Sequence, residues 1–295
     1  MSILPQPLSR TDEISLIQAY QHLEYPSFAA RLSNVVGTPI EMALELLPRA
    51  WKFRVQRCAE AGVGKALNLA ISNVRGKQGM RSSDRRYKVL SMATGAIGGF
   101  FGAPALLLEL PLTTTLMLSS IADIARSEGE NLETLDTRLA CMEVFAFGGR
   151  SNLDNATETG YYGLRVALEA PIACASAYLA GQGVMTRTPA PVLVSLITTI
   201  AERFGVVLSE KAVAEMVPII GAAGGAFINN VFMQHFQDMA RSHFTIRRLE
   251  RKYSPDLVQA CYERIGHQGP TFRQQGSAEK RLTNRLSNAV PVLTG

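Results

Sequence analysis

At 295 residues and 32.1 kDa, with 47% hydrophobic residues, the chain can hold one large or two ordinary domains and is too apolar for a disordered adaptor. Aromatics are only 7%, and β-branched or aromatic runs at period two are hard to find, so helix is the expected element throughout. The formal charge of +5 is modest but concentrated: Arg75, Lys77, Arg81, Arg85, Arg86 and Lys88 stand against Asp84, and Arg241, Arg247, Arg248, Arg251 and Lys252 against Glu250.

Residues 1–10 carry two prolines and no apolar core, which argues against a secretory signal. Cys58, Cys141, Cys174 and Cys261 lie far apart without a CxxC pair, as expected of reduced, buried or half-buried thiols rather than a disulfide frame or zinc knuckle. Residues 1–37 read as an arm, with an amphipathic helix over 12–23 capped by Thr11 or Asp12 and ended at Tyr25-Pro26. Residues 48–74 repeat apolar positions at helical spacing (Trp51, Val55, Cys58, Val63, Leu67, Ile71), with a kink or break expected at Gly62 and Gly64.

Residues 89–108 carry no charge and form the first apolar segment; Glu109, Pro111 and a second uncharged run to Ala122 follow. Asn131 is expected to cap an amphipathic helix with Leu132, Leu135, Leu139, Met142 and Phe145 on one face, ended by Gly148-Gly149. Residues 151–159 read as a polar loop, 161–180 as a helix disturbed at Pro171, and 186–191 as a proline-rich joint. Residues 191–204 read as a helix ended by Gly205, with the next one capped by Ser209. The second apolar segment, 216–234, continues without a breaker to Tyr253 and predicts one long helix after Pro218. From Gly266 onward the chain is polar, rich in breakers and aperiodic, a mobile tail by expectation. The expected architecture is an all-α multi-helix bundle with two glycine-rich apolar central segments, divided into 1–37, 38–265 and 266–295.

Ser91, Gly95 and Gly99 recur every four residues, with Gly98 and Gly102 offset, and Gly221 with Gly225 repeats the spacing. Such small-residue ridges let helix backbones approach closely, so the two segments are expected to pack on each other. They serve either as the core of a soluble bundle or as a membrane contact whose flanking basic clusters meet anionic headgroups. About fifteen residues separate Val89 from Pro104, about 23 Å of helix against the roughly 30 Å of a hydrocarbon core. A surface-inserted hairpin with Glu109 near its bend therefore fits better than two spanning helices.

Enzyme signatures are sparse. Gly62-Val63-Gly64-Lys65 lacks the strand, frame and following Ser/Thr of a phosphate loop, and neither GxSxG nor HExxH occurs. His235, Asp238 and His243 sit amid Phe232, Phe236, Met239 and Ile246, with Asp238 three residues from His235. The histidines are about 12 Å apart along a helix axis, too far to share a metal. The catalytic option is a His235–Asp238 general base assisted by Glu109 or by an asparagine such as Asn229 or Asn230; the plain option is a satisfied polar pair. Glu109 alone reads as a buried hydrogen-bonding residue or bend marker. No cofactor or metal is expected. The basic clusters lack interleaved aromatics and no helix-turn-helix appears, which argues against nucleic acid.

Glu109-Leu110-Pro111-Leu112-Thr113-Thr114-Thr115, Ser120-Ile121-Ala122-Asp123-Ile124-Ala125-Arg126, Glu143-Val144-Phe145-Ala146-Phe147-Gly148-Gly149, Val217-Pro218-Ile219-Ile220-Gly221-Ala222-Ala223-Gly224-Gly225, Phe236-Gln237-Asp238-Met239-Ala240-Arg241 and Arg247-Arg248-Leu249-Glu250-Arg251 follow one another along the chain. Together they resemble the EcsC family over roughly residues 50–253. The resemblance implies a bacterial protein working at or near the cytoplasmic membrane, and brings no established activity, cofactor or catalytic residue.

The expected function is that of a helical accessory protein, associated peripherally with the cytoplasmic membrane. Arg81, Arg85, Arg86 and Lys88, with Arg247, Arg248, Arg251 and Lys252, would touch anionic lipid or a membrane-protein partner. The alternatives are a hydrolase-type enzyme using His235 and Asp238, or a purely soluble helical interaction module. The place of action would be the cytoplasm or the cytoplasmic face of the inner membrane.

Overall fold

The computed structural model describes residues 7–25, 28–37, 39–45, 47–71, 84–101, 103–149, 160–182, 190–216 and 221–267. Among them the regular elements are α-helices only, the expected all-α bundle. They are α1 (Arg10–Glu24), α2 (Phe28–Val36), α3 (Ile40–Glu45), α4 (Arg49–Ile71), α5 (Asp84–Phe101), α6 (Ala103–Ser127), α7 (Leu135–Phe147), α8 (Tyr161–Gln182), α9 (Pro191–Glu215), α10 (Gly221–Lys252) and α11 (Pro255–His267).

The long helix α10 is the axis of the bundle, and α5 runs antiparallel along it. Asp84 meets Arg241, Lys88 meets Gln234, and Ser91 Oγ donates to the Asn229 carbonyl at 3.2 Å. At Gly95 the backbones come close: a Cβ there would lie 2.4 Å from the Gly225 carbonyl oxygen. The glycine spacing thus does what small-residue ridges do, bringing two backbones together where any side chain would hold them apart. Helix α6 folds back on α5, with Tyr87 donating to Asp123 at 2.8 Å, and reaches α10 where Gln237 donates to Ser120 at 2.9 Å.

Two contacts fix the direction of α4 against α9: Gly205 faces Gln56 and Gly64 faces Ile197, so the two are antiparallel. Gly62 lies against Thr114 of α6, and Arg138 at the start of α7 donates to the carbonyls of Ala70 and Ile71. The C-terminal end of α4 therefore lies beside the link from α6 to α7. The beginning of α4 lies at the opposite end, beside the α5–α6 turn and the end of α9. Around this frame, α7 is buried from Leu139 to Phe147 apart from the partly exposed Glu143, and Phe28 of α2 stacks on Phe232 and His235. Tyr20 of α1 packs edge-on against Tyr262 of α11.

Several expectations are corrected. Helix α4 is continuous through Gly62 and Gly64, because Gly62 is a contact site for Thr114 rather than a hinge. Helix α9 is likewise unbroken at Gly205: its bare Cα faces Gln56, and Ser209 does not cap but donates to the Gly205 carbonyl one turn back at 2.8 Å. Thr134, not Asn131, caps α7, and Ser9 caps α1. The hairpin turns between Phe101 and Ala103, so Glu109 is no bend marker but lies within α6. Cys174 is exposed, whereas Cys141 is buried. The expected loop at 151–159, most of the proline-rich joint, Arg81 and the tail after His267 lie outside the described residues.

Candidate functional site

Four helices bring a charged cluster into the apolar interior just inside the end where α5 turns into α6. Lys211 of α9 is fully buried and its ammonium donates to Glu109 of α6 at 2.7 Å. Glu215, one turn on, lies 3.4 Å from the same nitrogen. Asn229 of α10 donates to Glu109 at 2.6 Å and to the Ser91 carbonyl of α5 at 2.8 Å. Burial alone would lower the Lys211 pKa, yet the two carboxylates Glu215 and Glu109 outweigh it and hold the ammonium above its ordinary value. Burial raises Glu215, with Lys211 opposing, so a proton retained there would bring one cation and two carboxyls to neutrality. Glu109 Oε2, both Glu215 oxygens and Asn229 Oδ1 have no hydrogen-bond partner among the described residues. The cluster acts as a tie between α5, α6, α9 and α10, because removing one charge would strand the others away from water.

The proposed catalytic residues are not assembled. The His235 ring is buried, its Nε2 paired with the Gly148 carbonyl at 2.9 Å, and burial lowers its pKa to about 4. Asp238 pairs instead with Arg31 at 2.9 Å and accepts from Gln234 at 2.6 Å. Glu109 belongs to the Lys211 cluster. The expected pair is corrected to two separately satisfied residues, and only Asn229 among the suggested helpers reaches Glu109. A cavity of about 700 Å³ lies elsewhere, lined by Tyr20, Glu24, Tyr161, Arg203 and Tyr262, and none of the three candidates borders it. His243, near its wall, pairs through Nδ1 with Tyr161 Oη at 2.9 Å, and burial holds its pKa well below the ordinary value.

The basic clusters differ in kind. Arg247 binds Glu130 and Asp136, both at 2.8 Å; Arg248 binds Glu128 at 2.8 Å; Arg251 pairs with Glu130; and Lys252 binds Asp12 at 2.7 Å. These four cations stitch α10 to α1 and to the α6–α7 link, and their charge is largely neutralised in place. Arg85 and Arg86 are exposed, whereas Lys88 is half-buried and donates to Gln234. By helix rise, Arg86 is about 23 Å from the end of α5, and Arg247 to Lys252 are about 39–47 Å from the start of α10.

The hairpin end itself is apolar in sequence, with no charge from Val89 to Leu108 or from Val217 to Ile220. Phe227 and Leu112, six and nine residues from the starts of α10 and α6, are exposed, as are Val89 and Leu90 about 17–18 Å back along α5, while Ser91 and Gly95 are buried against α10. Helix α9 is the one helix among the described residues long and apolar enough to cross a membrane, and Leu196, Ile200, Phe204 and Leu208 on it are buried in the bundle. Sequence reasoning missed Lys211 and Glu215, whose signal was an oppositely charged i,i+4 pair in the last turns of α9, directly before the second apolar segment. It also missed the start of α4, where Arg49, Lys52, Phe53, Arg54 and Arg57 are all exposed.

A sequence model described as the EcsC protein family matches residues 65–249. Comparison with curated proteins and with solved structures gives no match.

Proposed function

The chain belongs to the EcsC family, and from that premise we propose that it is a helical accessory protein that docks peripherally on the cytoplasmic membrane through the hairpin end of its bundle. The observation that supports this reading is the apolar character of that end: the sequence carries no charge from Val89 to Leu108 or from Val217 to Ile220, and Phe227 and Leu112, six and nine residues from the starts of α10 and α6, are exposed. An exposed apolar patch on a helical bundle marks a contact with a partner or a membrane. Spanning is disfavoured, because α5 from Val89 to Phe101 is only about 20 Å long. The test is flotation of the full-length chain with vesicles at low salt. The reading expects co-flotation that falls when Phe227 and Leu112 are changed to Gln; a chain left wholly at the bottom with every vesicle composition refutes it.

A further inference from the structure

Resting on that docking reading, we infer that the first turns of α4 are the surface that recognises anionic lipid headgroups. Arg49, Phe53 and Arg57 follow at i, i+4 and i+8 on one exposed line of the helix, flanked by the exposed Lys52 and Arg54. Phe53 is 63% exposed, a large apolar ring left at the surface. The Arg57 guanidinium lies 5.4 Å from the Phe53 ring and that of Arg54 lies 5.6 Å from the half-buried Trp51 ring. Stacking of this kind holds a planar guanidinium with its edge free for a phosphate.

The charge of this stripe is unspent. Residues 49–57 hold four cations and no carboxylate, and none of the four has an ion pair among the described residues. The nearest acid on the helix, Glu60, accepts from Gln56 at 3.3 Å. Arg247, Arg248, Arg251 and Lys252, by contrast, are each held by a carboxylate of this chain. Position decides the partner. The antiparallel contacts of α4 with α9, and the place of Gly62 beside Thr114, put residues 49–57 level with the first turns of α6. Cations and aromatic rings beside an apolar pole match the layering of a bilayer surface, with phosphates over hydrocarbon. A single-stranded nucleic acid would satisfy the stripe but not the apolar pole. The stripe lies outside the matched residues 65–249, so it is a feature of this chain rather than of the matched family segment.

The experiment uses the full-length chain with phosphatidylcholine vesicles, with and without phosphatidylglycerol. Trp51, the single tryptophan, reports contact without labelling. Its emission should move to the blue and be quenched by brominated lipid with the anionic vesicles, and return as salt is raised. The variant R49Q/K52Q/R54Q/R57Q should bind anionic vesicles roughly a hundredfold more weakly, whereas R85Q/R86Q should stay within about twofold of the parent. Failure of the unaltered chain to bind any vesicle overturns the docking reading itself. Binding of the parent and the fourfold variant with equal strength, or an unchanged Trp51 emission on bound protein, overturns this inference and leaves that reading standing. Stripe-dependent binding of a single-stranded oligonucleotide, with vesicle binding unaffected by the four substitutions, also overturns it.

Discussion

Changing Gly95 to Ala tests the central packing claim, because helix propensity and packing predict opposite signs. In an open helix interior the change gains about 1 kcal/mol. At Gly95 the new methyl would lie 2.4 Å from the Gly225 carbonyl oxygen, 2.6 Å from Asn229 Nδ2 and 2.7 Å from Asn229 Cβ. Two of those atoms are on or next to backbone, so α5 and α10 must separate by about 1 Å to restore ordinary contact. Overpacking of that kind costs about 1–3 kcal/mol. The same shift lengthens the Asn229 bonds to the Ser91 carbonyl and to the buried Glu109 carboxyl, each worth about 1 kcal/mol. The net expectation is a loss of about 2–4 kcal/mol, read as a lower urea midpoint by far-ultraviolet circular dichroism. Gly64→Ala is the control: its methyl would meet Ile197 Cδ1 at 3.7 Å, an ordinary contact, and should be neutral or stabilising. If Gly95→Ala matches or exceeds the parent while Gly64→Ala behaves as stated, the close approach of α5 and α10 is refuted.

Lys211→Met leaves Glu109 and Glu215 without their cation and should cost about 3–5 kcal/mol in the same denaturation assay. Adding Glu109→Gln and Glu215→Gln should recover much of that loss, and no recovery would mean the carboxylates are not what suffers. Gly205→Ala should be nearly neutral despite a 2.6 Å approach, because the atom met is the tip of the flexible Gln56 side chain. Glu143 carries a pH signature: burial lifts its carboxyl from 4.5 to about 7. A raised pKa means the folded chain holds the proton more tightly, so the stability it adds is complete below pH 4.5 and lost as pH rises through 7. Glu143→Gln should therefore gain on the parent by up to about 2.5 kcal/mol between pH 5 and pH 8. His235, lowered to about 4, works in the opposite direction between 6.5 and 4 but is common to both proteins and cancels. A constant difference across that range would show that the Glu143 carboxyl is not raised in the folded chain.

What was legible in the sequence was what depends on neighbours along the chain. The long α10 followed from an unbroken run, and its contact with α5 from glycines at spacing four. What was not legible depended on distant partners. Glu109 reads in the sequence as either a buried hydrogen-bonding residue or a bend marker; the first holds, and the choice was not legible because its partners, Lys211 and Asn229, lie 102 and 120 residues away. Gly205 was read as a helix end because Gln56, the reason for a bare Cα, is on another helix. His235 and Asp238 were paired on spacing, while the Gly148 carbonyl and Arg31 made better partners for each. Arg247 to Lys252 looked like a free patch since Asp12, Glu128, Glu130 and Asp136 are far off in sequence. The start of α4 is a different case: its alternation of cations and rings is local, but helical spacing alone does not say that Arg49, Phe53 and Arg57 face outward.

On the docking reading, the buried ties also decide how deeply the hairpin end can enter a bilayer. For α5 and α6 to swing out as a free hairpin, the bonds from Asn229 to Ser91 and Glu109 and from Lys211 to Glu109 would have to break. Breaking the buried ion pair alone costs about 3–5 kcal/mol, so the end meets the membrane as one body. Its depth is then set by α4, whose Arg49, Lys52, Arg54 and Arg57 lie level with the first turns of α6. Carrying each of those cations to the bilayer centre would cost about 2.5–3.5 kcal/mol, which stops entry at the headgroups. Trp51 should accordingly be quenched most strongly by lipids brominated near the headgroup end of the acyl chain. Stronger quenching by bromine near the chain terminus would mean that α4 sinks with the hairpin or that the ties open, and either result refutes shallow docking of a rigid end.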